Sequence, residues 1–121
     1  MSDFQLGMAE SRFAEIIWEK EPLSSGELVK LSEEKLGWKK STTYTVLKKL
    51  CEQGLFLNEN AVVTAVVSRE DYLQSQGEQF VEKAFGGSLP RMIAAFIEHK
   101  RLSRAQIEEI EQMIEEYKGE E

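Results

Sequence analysis

The chain has 121 residues, a formal net charge of −7, and 41% apolar and 31% charged residues, so it is long enough for one domain, or for a small domain with a helical appendage. No apolar stretch approaches the roughly 20 residues needed to cross a bilayer, and no basic start precedes an apolar run, so we expect a cytoplasmic protein without a signal peptide. The single cysteine, Cys51, excludes an internal disulfide and a multi-cysteine metal cluster.

The first two predicted helices are MAESRFAEIIWEKE and SGELVKLSEEKLG. Apolar residues recur in both at intervals of three and four, which places them on one face of a helix. Pro22 ends the first helix, and Ser24 or Ser25 is a candidate N-cap of the second. Gly37 follows the second helix, where a left-handed residue is favoured.

A third predicted helix begins at Lys40 or Ser41 and is terminated by Gly54. Its inward positions, again at helical spacing, are Thr43, Val46, Leu47 and Leu50. Its outward positions carry hydroxyls, an aromatic ring, lysines and one carboxylate, namely Ser41, Thr42, Tyr44, Thr45, Lys48, Lys49 and Glu52. The core therefore needs only one side of this helix.

After Gly54, two β runs at residues 55–57 and 62–67 are joined by the polar turn Asn58-Glu59-Asn60. The order helix, helix, helix, hairpin is that of a winged helix. We therefore predict a mostly α protein with a small β-hairpin wing, in which a winged helix-turn-helix domain covers residues 1–68.

Residues 69–121 are predicted to form a helical dimerisation region of three helices, which are capped by Ser68, Ser88 and Ser103 and broken at Gly86-Gly87. These helices are amphipathic but too few to bury their apolar faces on one another, and a symmetric homodimer is the commonest solution. The expected interface residues are Phe80, Phe85, Leu89, Met92, Ile93, Phe96, Ile97, Ile107, Ile110 and Ile114.

The outward face of the third helix suits the major groove of DNA, which is wide enough for one helix. Short hydroxyl side chains let the backbone approach the base edges, while lysines neutralise phosphates and fix the register. We expect the groove to be faced by Ser41, Thr42, Tyr44, Thr45 and Lys48. We expect Lys39, Lys40 and Lys49 to contact the DNA phosphates. An ordinary solvated helix surface is the alternative reading.

The charge distribution supports a rival function. Residues 1–67 have a net charge of −2 and residues 68–121 a net charge of −5, and the predicted wing holds Glu59 without a cation. Net charge therefore argues mildly against a polyanionic partner. The rival is a dimeric winged-helix adaptor that binds proteins and has lost DNA binding.

The remaining reactive residues predict no catalytic or metal site. His99 is the only histidine, so no Ser/His/Asp set can be assembled and a metal site is improbable. Cys51 lies near the core side of its helix and fits a buried, inert thiol better than a redox sensor. We expect no enzyme, no cofactor and no metal. Trp18 and Trp38 fit the core, although Trp38 could also stack near a DNA backbone.

Several motifs resemble the penicillinase-repressor family, the BlaI, MecI and CopY group, in order along nearly the whole chain. They are W-E-K-x-P-L-S-S-G-E-L (Trp18 to Leu28), W-K-K-S-T-T-Y-T-V-L-K-K-L-C-E-Q-G-L (Trp38 to Leu55), V-S-R-E-D-Y (Val67 to Tyr72), F-G-G-S-L (Phe85 to Leu89) and A-A-F-I-E (Ala94 to Glu98). The resemblance implies a dimeric transcriptional repressor whose winged helix reads one half of a palindromic operator.

The resemblance also implies two ways in which repression is relieved. A membrane sensor triggers proteolysis of the repressor, or metal binds at C-terminal cysteines. Here the bond that matches the family's Asn–Phe cleavage site is Ala95–Phe96, which leaves a sensor protease open as a partner. The chain ends YKGEE without cysteine, so we expect no metal sensing of that kind. The wing lacks the cations common in the family, so we expect weak wing contacts to phosphate.

Overall fold

The computed structural model describes residues 5–120, and the chain divides into two compact units between Gly77 and Glu78. In chain order the elements are α1 (Met8–Lys20), β1 (Leu23–Ser24), α2 (Ser25–Leu36), α3 (Lys40–Glu52), β2 (Phe56–Glu59), β3 (Val62–Ala65), α4 (Arg69–Phe85), α5 (Leu89–Glu98) and α6 (Arg104–Glu120). The fold is mostly α, with a winged helix-turn-helix followed by C-terminal helices, as the sequence predicts.

The predicted helix boundaries have visible causes. The Ser24 hydroxyl accepts a hydrogen bond from the Glu27 N–H at 3.0 Å and so caps α2. Gly37 ends that helix in the left-handed conformation, with φ of 70°. The N-termini of α4, α5 and α6 are capped in the same way by Ser68, Ser88 and Ser103. The capping residues expected from the sequence are confirmed at these positions.

The core of the first unit lies between α1, α2, α3 and the sheet. Its largest fully buried side chains include Phe13, Ile17, Leu28, Leu50 and Phe56. Each large apolar side chain buried in this way contributes about 1.5–3 kcal/mol. The rotation of α3 follows from its share of this core, because its buried residues are Thr43, Leu47 and Leu50. Val46 is partly buried against the same cluster, so the predicted inward face is confirmed.

Both tryptophans contribute to this unit as core aromatics. The Trp18 indole N–H donates to the Val67 carbonyl at 2.9 Å, and its ring centroid lies 5.4 Å from that of Phe56. The Trp38 ring centroid lies 5.1 Å from that of Phe13. Aromatic pairs at these separations add to the energy of burial.

The sheet within residues 5–120 differs from the predicted two-stranded hairpin. Residues Leu23–Ser24 form a third strand, and the antiparallel order is β1-β3-β2. The turn is also shorter than expected, because Glu59 pairs with Val62 and leaves only Asn60 and Ala61 in the loop. Both have positive φ, 51° and 61°, as a type I′ hairpin requires. Asn58 and Glu59, predicted in the turn, therefore belong to β2.

The second unit has no core of its own, since no residue among positions 78–120 is buried. Within it, the ring centroids of Phe80 and Phe85 lie 6.0 Å apart. Large apolar side chains of this unit that remain exposed are Phe80, Leu89, Phe96, Ile97, Ile107, Met113, Ile114 and Tyr117. Among the described residues, no helix is long and apolar enough to cross a membrane.

Candidate nucleic-acid interface

One face of α3 is open to solvent because the opposite face is held in the core. Thr43, Leu47 and Leu50 are at most 2% exposed. At 100° per residue this leaves a continuous outward stripe. Its members are all exposed, and they are Ser41, Thr42, Thr45, Lys48, Lys49 and Glu52. The predicted hydroxyls and lysines are thus brought together on one surface, and Glu52 shares it, as the helical spacing predicts.

The stripe begins with two exposed lysines. Lys39 is the N-cap residue and is extended, with φ of −73° and ψ of 158°, while Lys40 is the first helical residue. Neither forms an ion pair with any residue in the described part of the chain. Their ammonium groups lie beside the helix N-terminus, whose free N–H groups and dipole also favour an anion.

Two threonine hydroxyls of α3 are tied to its own backbone. Thr43 Oγ1 donates to the Lys39 carbonyl at 3.2 Å, and Thr45 Oγ1 donates to the Ser41 carbonyl at 2.9 Å. The Thr45 oxygen can still accept a hydrogen bond, because a hydroxyl has two lone pairs. Ser41 and Thr42 are exposed with no hydrogen bond from their side chains to another described residue.

Tyr44 lies at the edge of this face, with 37% of the residue exposed. Its hydroxyl donates to Ser25 Oγ at 3.1 Å, and Ser25 is buried at the start of α2. This bond ties the N-terminal half of α3 to the helix that precedes it. No sequence pattern marks Ser25 as its partner, because the two residues are 19 positions apart.

Lys49 is engaged on the α1 side of the helix. Its Nζ lies 2.6 Å from Glu10 Oε2, and Glu10 Oε1 accepts the Gly7 N–H at 3.0 Å. The hydrogen bond from Lys49, followed by that from Gly7, holds the pKa of Glu10 below its usual value. An ammonium group has three donors, so Lys49 keeps two for another acceptor.

Lys48 borders an open groove between α3 and β2. The groove has a volume of about 430 Å³ and is lined by Tyr44, Leu47, Lys48, Cys51, Leu57 and Asn58. Burial raises the pKa of the half-buried Cys51 thiol, which keeps it protonated and unreactive.

Charges of both signs occur on the exposed face of α3. Lys39 and Lys40 lie at its N-terminal end, whereas Lys49 and Glu52 share its last turn and Glu59 is on the wing. A polyanion is therefore favoured most at the N-terminal end of α3, and Glu52 and Glu59 oppose it toward the C-terminal end and the wing. No cluster of His, Cys, Asp and Glu among residues 5–120 could hold a metal ion.

A family model described as penicillinase repressor matches residues 6–116, which include all of α3 and the wing. The chain belongs to the penicillinase repressor family. The resemblance inferred from the motifs is therefore confirmed. Members of the family are transcriptional repressors.

Relatives in the family are similar to this chain over almost their whole length. The penicillinase repressor of Bacillus licheniformis is 26% identical over 119 residues, which cover 95% of this chain and 93% of the relative. The methicillin resistance regulatory protein MecI of Staphylococcus aureus is 23% identical over 115 residues, covering 92% and 94%. That of Mammaliicoccus sciuri is 22% identical over the same shares.

Proposed function

We propose that this protein is a dimeric repressor that reads a palindromic DNA operator with α3 in the major groove. The observation that carries the proposal is the rotation of α3, whose buried Thr43, Leu47 and Leu50 turn a hydroxyl and lysine face outward. Residues 1–68 are assigned to DNA binding and residues 69–121 to dimerisation.

Each polar group of α3 has an assigned role. Ser41, Thr42 and Thr45 contact base edges, because their short side chains allow the helix to enter deeply. Lys39 and Lys40 contact phosphates and set the register, and Lys48 faces the major groove. Lys49 offers its two remaining donors to a phosphate while it stays bound to Glu10. Tyr44 lies at the edge of the groove and also holds the helix in position through Ser25.

Dimerisation is supported by the second unit, where apolar side chains remain exposed and none is buried among residues 78–120. Pairing would cover the apolar faces of α5 and α6 and the adjoining end of α4. The proposed interface residues are Phe80, Phe85, Leu89, Met92, Ile93, Phe96, Ile97, Ile107, Ile110 and Ile114. Two paired α3 helices about 34 Å apart would match a palindromic site.

Glu52 and Glu59 favour the second candidate, a dimeric adaptor without DNA binding, because both carboxylates are exposed beside the proposed interface. The two functions differ in their response to salt. Affinity for DNA falls steeply with salt concentration as counterions return to the phosphates. A protein that acts only as an adaptor should not bind duplex DNA even at low salt, so no salt dependence of DNA affinity would be measured.

The test begins with selection of binding sites from a library of random duplexes, followed by titration of an enriched duplex at several salt concentrations. Thr45→Val should change the sequence preference by about 1–3 kcal/mol at one base pair. Lys40→Gln should weaken all duplexes alike and lower the salt slope by about 0.9. Failure to enrich any duplex, with no binding at low salt, would contradict the repressor function.

A further inference from the structure

The charges at the N-terminus of α6 oppose the dipole of that helix. α1, α2 and α4 each carry an acidic residue in the first turn. α6 has none there, begins at Arg104 and follows Lys100 and Arg101, whereas its last turn holds Lys118, as the dipole favours. The cations at the N-terminus destabilise an isolated helix, and Glu115 and Glu116 add negative charge to the C-terminal half.

These charges are not neutralised within residues 5–120. Lys100, Arg101 and Arg104 are exposed and form no ion pair with any described residue. On α6, the ion pair found among residues 104–120 joins Lys118 and Glu115 at 3.8 Å, and both side chains are more than 60% exposed. Such a pair contributes little.

The two signs of charge share one face of the helix with an apolar residue. Arg104, Ile107, Glu108 and Glu111 follow the i, i+3, i+4, i+7 pattern and line an open groove. Ile107 lies between the cation and the carboxylates and is 38% exposed. A face with a cation at one end and carboxylates at the other is complementary to a reversed copy of itself.

We propose that α6 packs antiparallel against α6 of a second copy, with the two-fold axis close to Ile107 and Glu108. Arg104 then contacts Glu111 of the partner subunit, and symmetry repeats the contact. This inference rests on the homodimer proposed above and names the helix register that selects the partner. In that register Glu115 and Glu116 approach the partner's Lys100 and the partner's Arg101.

The antiparallel register accounts for the basic N-terminus of α6 and for the choice of partner. An antiparallel neighbour places its negative C-terminal half beside the basic N-terminus, so each helix offsets the unfavourable charges of the other. A parallel arrangement would align cations with cations and carboxylates with carboxylates, which costs free energy. Ile107 supplies the apolar contact at the centre.

Charge exchange tests this register directly in the full-length protein. Dimer dissociation constants are measured by analytical ultracentrifugation for the wild type, Arg104→Glu and Glu111→Arg, for an equimolar mixture of the two variants, and for the double variant. Each single variant places like charges at both symmetric contacts and should dimerise at least about tenfold more weakly, which corresponds to about 1.4 kcal/mol. The mixture and the double variant restore opposite charges and should recover most of the affinity.

Glu109→Arg is the matched control, because it makes the same charge change on the opposite side of α6 and should leave dimerisation unchanged. Circular dichroism of each variant separates weaker pairing from loss of helix. Single variants that dimerise like the wild type, or a mixture and double variant that stay as weak as the single variants, would overturn the register.

The proposed function has a separate readout. If the wild type is a dimer that binds a selected duplex but charge exchange fails, only the α6 register is wrong. If the wild type selects no duplex, the proposed repressor function is wrong. If it is monomeric at every concentration, both the proposed dimer and the α6 register are wrong.

Discussion

Lys49 Nζ lies 2.6 Å from Glu10 Oε2, which joins the C-terminal half of α3 to the first turn of α1. The same carboxylate accepts the Gly7 N–H, so one side chain caps α1 and anchors α3. The orientation of the proposed DNA-binding helix therefore depends on an ionic contact as well as on its apolar side.

Glu10→Gln should lower the free energy of unfolding near pH 7 by about 1 kcal/mol or less, since both partners retain solvent contact. Because the pKa of Glu10 is lowered in the folded state, its contribution is present above the ordinary glutamate pKa of about 4.3. It is lost as the pH falls through the lower folded-state pKa. Urea unfolding of both proteins from pH 7 to pH 3 should show their stabilities converging in acid.

Glu34→Gln is the control for this pH dependence, because Glu34 is exposed on α2 and forms no ion pair with a described residue. A difference between wild type and Glu10→Gln that stays constant across the pH range would contradict the assignment to the ionised carboxylate.

The Tyr44–Ser25 hydrogen bond predicts coupling between two helices. Tyr44→Phe and Ser25→Ala should each lower the free energy of unfolding by about 1 kcal/mol. The double variant should lose clearly less than the sum, because the second substitution removes a group whose partner is already gone. Thermal or urea unfolding of the four proteins gives the coupling energy, and strictly additive losses would show that the bond contributes nothing.

The wing turn contains an alanine in a conformation that suits glycine. Ala61 has φ of 61°, and the left-handed region costs a residue with a Cβ about 1–2 kcal/mol. Ala61→Gly should therefore raise the free energy of unfolding by roughly 0.5–1 kcal/mol, after allowance for the entropy of glycine. Urea unfolding measures the gain. Asn60→Gly, at the other turn position, should give little gain, because asparagine tolerates this conformation.

Glu52 should limit the affinity for DNA. It is exposed on the same stripe as Thr45 and Lys48, where a carboxylate repels phosphates. Glu52→Gln should tighten binding of selected and scrambled duplexes alike, by about 1 kcal/mol or roughly fivefold at low salt. Fluorescence anisotropy measures the change, and Glu19→Gln, on exposed α1 surface, is the charge-matched control. Equal affinities for the two variants would place Glu52 away from the duplex.

The sequence predicted the parts of the fold that depend on local rules. Helical spacing identified the buried Thr43, Leu47 and Leu50, and Gly37 marked the end of α2 because few other residues adopt its conformation. β1 was missed because a strand of two residues has no period to detect, and it exists only through its pairing with β3. The loop position was missed because cross-strand register, rather than polarity, sets its length.

In the candidate site, too, features set by local helical spacing could be predicted, whereas contacts made by the tertiary fold could not. The outward hydroxyls and lysines could be predicted because they follow from the inward apolar residues of one helix. The partners of Tyr44 and Lys49 could not, since they lie 19 and 39 residues away and only the tertiary fold brings them close. Glu52 was placed on the outward face by the same helical spacing.

If the second unit pairs as proposed, the lack of any buried residue between positions 78 and 120 makes the folding of this unit depend on dimerisation. A newly synthesised subunit would then bury the apolar residues of this unit only when it dimerises. Its melting temperature would therefore rise with protein concentration. Repression would then depend steeply on the cellular concentration of the protein, because halving the total concentration would remove more than half of the dimers.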